Sequence, residues 1–125
     1  MSSRVLTMLT SVGTRRQARQ LARALIEQGL AACVHIAPIE SVYRWKGRLH
    51  QQREFQLSMQ TSATRAAALQ AALRALHPYE LPALYALRAS QVYEPYASWV
   101  ADSCAATGAP RAVRRRAKGG TAARP

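Results

Sequence analysis

His77-Pro78-Tyr79-Glu80-Leu81-Pro82 puts an imidazole, a phenol and a carboxylate within four positions, between two prolines. Pro78 cannot continue a helix and disfavours helical geometry at the residue before it. Pro82 pushes Leu81 toward an extended backbone in the same way. A helix is therefore predicted to stop near His77 and a strand to start near Leu81. The polar trio then lies on a stiff connection of the kind that often carries binding residues.

Upstream of this corner, Ala66, Leu69, Leu73 and Leu76 recur at helical spacing, which predicts a helix over about 63–76 capped by Thr61 or Ser62. Before it, Phe55, Leu57 and Met59 alternate with Gln56, Ser58 and Gln60, the pattern of a strand with one polar face. Ser41 to Trp45 reads as its partner in a hairpin, with a turn or bulge at Lys46-Gly47-Arg48. Ala31 to Ala37 reads as a strand, with a bend or bulge at Pro38. Further back, a helix is predicted from Thr14, as cap, to about Gln28, with Gly29 as its stop. Its buried stripe is Ala18, Leu21, Ala22, Leu25 and Ile26. Arg15, Arg19 and Arg23 share another face at four-residue intervals, which reads as a solvated basic face. Val5 to Val12 is the first strand. Downstream of the corner come a strand over 81–89 and a short closing helix over about 93–105.

The order strand, helix, strand, strand, helix, strand, helix predicts an α+β, ferredoxin-like (βαββαβ) domain with a four-stranded antiparallel sheet and helices on one face. The other face then needs cover. Leu6, Met8 and the long aromatic hairpin suggest that it is an interface, so a homo-oligomer is expected.

Residues 1–106 form the expected domain. The stretch 107–125 reads as a basic, disordered tail, because it is nearly devoid of apolar residues beyond alanine. The net charge of +12 invites a nucleic-acid reading. Six of the 18 cations lie in the last fifteen residues with no acid, so residues 1–110 hold twelve cations against six acids. Nucleic acid is therefore not expected as a partner, beyond weak salt-sensitive affinity of the tail. RNA-recognition domains with this topology stack bases on aromatics of the central strands. Here the first strand has none and the next central strand has only Phe55. No glycine-rich phosphate loop is present, and Gly13 stands alone. No apolar stretch approaches the roughly 20 residues of a membrane span, and no signal peptide is apparent. Two cysteines, Cys33 and Cys104, are too few for a disulfide scaffold and fit a reducing compartment.

Cys33 and His35, two apart on a strand, face the same side and, with His77, offer thiolate and imidazole donors to zinc or copper. The alternatives are a buried small hydrophobe at Cys33 and a helix-terminal cap at His77. His77, Tyr79 and Glu80 have the chemistry for proton transfer, but no nucleophile accompanies them, so no enzyme activity is expected.

Gln28-Gly29-Leu30-Ala31-Ala32-Cys33-Val34, Ser41-Val42-Tyr43-Arg44-Trp45-Lys46-Gly47-Arg48-Leu49, Leu76-His77-Pro78-Tyr79-Glu80-Leu81-Pro82 and Tyr96-Ala97-Ser98-Trp99 together resemble the CutA divalent-cation-tolerance family. The resemblance spans about residues 4–102 and leaves out the tail. It implies a ferredoxin-like fold and a homotrimer whose long hairpins pair edge to edge, an assembly similar to PII signalling proteins. It also implies a cytoplasmic location, in agreement with the cysteine count, and a non-enzymatic role in tolerance of copper(II) or another divalent cation. On that basis the metal residues expected here are His77 and Cys33, in a cleft between subunits. This sequence departs from the pattern in four places. Thr10 stands where some metal-binding relatives carry a cysteine, and Leu76 where some carry a second histidine. Gln60 replaces a common lysine, and Ala83 a common acid. The alternative function is a PII-like signalling or scaffold module that binds a small anionic ligand near Arg44, Lys46 and Arg48.

Overall fold

In the computed structural model, which describes residues 4–104, Thr14 opens the first helix as the sequence predicts. Its hydroxyl accepts the Gln17 amide at 3.1 Å, which satisfies one of the donors left free at a helix start. Helix α1 (Arg15–Glu27) follows strand β1 (Val5–Val12). It ends at Gly29, whose φ of 69° is the left-handed geometry that glycine adopts without a Cβ penalty. Strands β2 (Cys33–Trp45) and β3 (Arg48–Ser62) form a hairpin. A short 3₁₀ turn (Ala63–Arg65) leads into helix α2 (Ala66–Leu76), followed by strand β4 (Tyr85–Arg88) and helix α3 (Glu94–Ser103). The basic stretch 107–125 lies outside the described residues.

The sheet order is β2-β3-β1-β4, antiparallel throughout. This is the split βαβ arrangement expected from the element order. Side chains alternate across the pleat, so the pairing register assigns the two faces. Met8 pairs with Met59, Thr10 with Leu57 and Val12 with Phe55. This face carries the core, packed against Ala18, Leu21 and Leu25 of α1 and Leu69 and Leu73 of α2. On the opposite face, Thr7, Leu9 and Ser11 line up with Gln60, Ser58 and Gln56, and these with Cys33, His35 and Ala37. Helix α3 covers one end of that face, where Val5, Ala97, Val100 and Cys104 form a second small cluster.

Four expectations are corrected. Ile26, expected in the buried stripe of α1, is exposed at the end of the helix, where Ala18, Leu21 and Leu25 make the buried contact. Leu6 and Met8 are buried within their own chain, Met8 in the core beneath the helices, and need no outside cover. Strand β2 runs unbroken through Pro38, opposite Phe55. It is an edge strand, where a residue without an N–H is tolerated. Strand β4 spans four residues rather than nine, since it begins only after the connection that carries Pro82.

The hairpin outreaches the sheet. Strand β1 pairs with residues 55–62 of β3 only, so 48–54 pair solely with β2 as a two-stranded ribbon. Its tip is a two-residue turn with positive φ at both Lys46 (52°) and Gly47 (79°), the mirror-image turn that matches strand twist. Lysine in that region carries strain of about 1 kcal/mol. The Lys46 ammonium lies 5.5 Å from the Trp45 ring centroid, a surface contact of about 0.5 kcal/mol. The strain outweighs the contact. We therefore expect Lys46→Asn to raise the melting temperature in calorimetry and Gly47→Ala to lower it.

Candidate functional site

The residue before Pro78 leaves helical geometry as the sequence predicts: His77 has ψ 135°, while its amide still bonds the Leu73 carbonyl. Its side chain does not turn outward to cap α2. It points inward, is fully buried, and lies on the helix-covered face of the sheet. Nε2 is 2.9 Å from the Ser11 carbonyl oxygen and 3.0 Å from the Thr10 hydroxyl. Nδ1 accepts the Tyr79 backbone N–H at 3.1 Å. Since Nδ1 accepts, the ring proton is on Nε2 and is donated to the Ser11 carbonyl. Neither nitrogen is left with a lone pair directed at solvent.

Tyr79 extends the same network. Its ring packs tilted against His77, with centroids 4.9 Å apart. Its hydroxyl donates to the Glu54 carboxylate at 2.7 Å. Both residues are buried. The phenol passes close to Gly13, where a Cβ would stand 3.4 Å from its oxygen. The end of α2, the end of β1 and the start of the sheet-paired part of β3 are thereby tied by side chains. Periodicity does not mark Glu54 as buried, because alternation groups it with the half-buried Gln56 and Ser58. The one available signal is that it stands directly beside Phe55, at the start of the alternating apolar run.

Cys33 and His77 are not brought together within the chain. Cys33 pairs with Gln60, and Gln60 with Thr7, on the face opposite Thr10 and the His77 ring. Cys33 and His35 do meet: Sγ and Nε2 are 3.6 Å apart. His35 is exposed and Cys33 partly so. Tyr96 of α3 lies within electrostatic reach of Cys33. Burial, and secondarily the charge of the Cys33 thiolate, hold its phenol above the usual 10.0. Tyr96 also stacks on Trp99, with centroids 5.7 Å apart. Glu80 is exposed and has no place in the buried network. Among the described residues no three His, Cys, Asp or Glu side chains converge as a metal cluster.

A family model for the CutA1 divalent ion tolerance protein matches residues 6–103. The chain belongs to the CutA1 divalent ion tolerance family. It is 41% identical over 86 residues to the CutA homolog of Xenopus laevis, covering 68% of this chain and 57% of that protein. It is 35% identical over 97 residues to the divalent-cation tolerance protein CutA of Thermus thermophilus, covering 77% of this chain and 94% of that one. It therefore spans little more than half of the animal relative and nearly all of the bacterial one. The solved structure of CutA from Synechococcus elongatus superposes with a TM-score of 0.81 at 39% identity, over 84% of this chain and 95% of that one. CutA1 from Ehrlichia chaffeensis superposes at 0.79 with 26% identity, over 83% and 98%. The ferredoxin-like fold is the fold of the family. No helix among the described residues is long and apolar enough to cross a membrane.

Two expectations follow. His77→Ala strips the Ser11 carbonyl and the Tyr79 amide of their partner, each worth about 1–3 kcal/mol when buried. Urea denaturation is expected to show a loss of roughly 3 kcal/mol or more for His77→Ala, and about 1–2 kcal/mol for Tyr79→Phe. The second concerns alkaline pH. The Tyr96 phenol is raised in the folded state, so its contribution is complete below pH 10.0 and is lost as pH rises through the higher folded value. In an ultraviolet phenolate titration, Cys33→Ala is expected to lower the Tyr96 midpoint only part of the way back, since burial is the larger cause.

Proposed function

We propose that this chain is a non-enzymatic, homotrimeric, cytoplasmic protein of divalent-metal tolerance, and that it holds copper(II) or another divalent ion through Cys33 and His35. The 3.6 Å approach of thiol and imidazole on an accessible strand carries this reading. A thiolate and an imidazole suit copper and zinc and suit magnesium or calcium poorly. Membership of a family named for divalent ion tolerance supports the cation class. His77, the other metal residue expected from the sequence, has both ring nitrogens engaged within the chain, so a metal there has to displace a buried hydrogen bond. Two donors are a partial set, and a closed site takes the rest from water or a neighbouring copy. Bound metal would hold the two side chains together and lower the free ion concentration.

The trimer reading rests on the ribbon. Residues 39–45 and 48–54 project past the sheet. Val42 and Leu49 on the ribbon, and Tyr85 and Leu87 on the β4 edge, are exposed. Unpaired strand edges and exposed apolar groups are what edge-to-edge association covers.

In calorimetric titration with copper(II), Cys33→Ala and His35→Ala are each expected to weaken binding about tenfold or more, about 1.4 kcal/mol. Parent-like affinity in both variants would overturn the assignment. Light scattering at micromolar concentration is expected to give three times the chain mass of 13.7 kDa; a monomer mass defeats the assembly.

A further inference from the structure

Helix α1 carries four arginines, Arg15, Arg16, Arg19 and Arg23, all exposed. At 100° per residue they fall within an arc of about 100°, and at 1.5 Å per residue they extend along about 12 Å of the axis. They form one continuous stripe. None of the four takes part in an ion pair among the described residues, where Arg4 with Glu94 makes such a pair. Arg15 lies over the Phe55 ring, 4.7 Å from its centroid, which holds one end of the stripe in place.

The stripe works against the helix that carries it. The first turn holds no acid and holds two cations, although the positive end of the helix dipole favours the opposite. Arg15 with Arg19, and Arg19 with Arg23, are like charges four residues apart, which repel. Violations of local rules concentrate at functional or strained sites, and among the described residues Arg16, Arg19 and Arg23 take part in no ion pair.

We propose that the outer face of α1 binds the phosphate backbone of nucleic acid, without reading sequence. The arginine fork matches phosphate oxygens in a way that lysine does not, and all but two of the chain's 18 cations are arginine. A lipid surface fits less well. A helix that lies in a bilayer sinks its apolar face there, and Ala18, Leu21 and Leu25 of α1 are already committed to the protein core. The stripe lies on a helix that packs against the other face of the sheet, away from the open face, and its Arg15 end adjoins the base of the ribbon at Phe55.

The test is fluorescence anisotropy of the full chain with a labelled 20-base-pair DNA duplex of arbitrary sequence, across a salt series. The triple variant Arg16→Gln, Arg19→Gln, Arg23→Gln is expected to bind at least tenfold more weakly at about 50 mM salt. Its log–log salt slope is expected to be shallower by about 2–3, near 0.9 for each phosphate no longer neutralised. Arg114→Gln, Arg115→Gln, Arg116→Gln is expected to change affinity less than the helix variant does. Arg16→Glu is expected to raise the melting temperature while weakening DNA binding, which separates an effect on binding from an effect on folding. An unchanged slope in the helix variant, with binding abolished in the tail variant, overturns the proposal. So does tighter binding to phosphatidylserine vesicles than to DNA, abolished in the helix variant.

Discussion

One buried imidazole holds the domain's corner shut. Pro78 ends α2 and sends the chain across the end of β1, and nothing in the local backbone rules fixes where it lands. The His77 ring does so. It bonds the Ser11 carbonyl and the Thr10 hydroxyl of β1 through one nitrogen, and the Tyr79 amide of its own loop through the other. A ring with one donor and one acceptor is matched on both sides, which is the condition for burying it without penalty. Tyr79 then carries the tie to Glu54 on β3. Strand β4 is short and all four of its residues are exposed, so its place beside β1 rests on ladder bonds and on this corner more than on burial.

That constraint separates structure from metal chemistry. His77 has the right atoms for a metal but spends both on the fold. Thr10, at the position where the family resemblance implies a cysteine in some metal-binding relatives, is here a hydrogen-bonding neighbour of that ring. The accessible donors are on the other side of the sheet, where Cys33 and His35 meet. The same sheet therefore has a helix-covered face committed to stability and an open face with room for a ligand or a second copy.

Much of the fold was legible because its signals are local. The Thr14 cap, the Gly29 stop, the alternation of Phe55 to Met59 and the proline at 78 each act through a neighbour or two, and each lands where the sequence places it. Less was legible where the cause is long-range. Strand β4 begins late because the ladder with β1 decides its start, not the residue propensity of Leu81 to Leu84. Pro38 leaves β2 unbroken because β2 is an edge, a fact of sheet order. The site was legible only by residue type. Pairing of Cys33 with His35 follows from two-residue spacing on a strand, and the structure keeps it. That the His77 ring lies across the sheet from Cys33 and His35 within one chain is a matter of register, which residue type and spacing do not show. Glu54 illustrates the same limit, since its polar neighbours in sequence keep at least partial exposure and it does not.

Long-range ¹H–¹⁵N spectra of the histidine rings, recorded with and without zinc, a diamagnetic stand-in for the divalent ion, test the division of labour most directly. The account predicts that His77 shows the Nε2–H tautomer and keeps its shifts on addition of metal, while His35 moves. A metal-induced shift at the His77 ring nitrogens, with His35 unmoved, would contradict it.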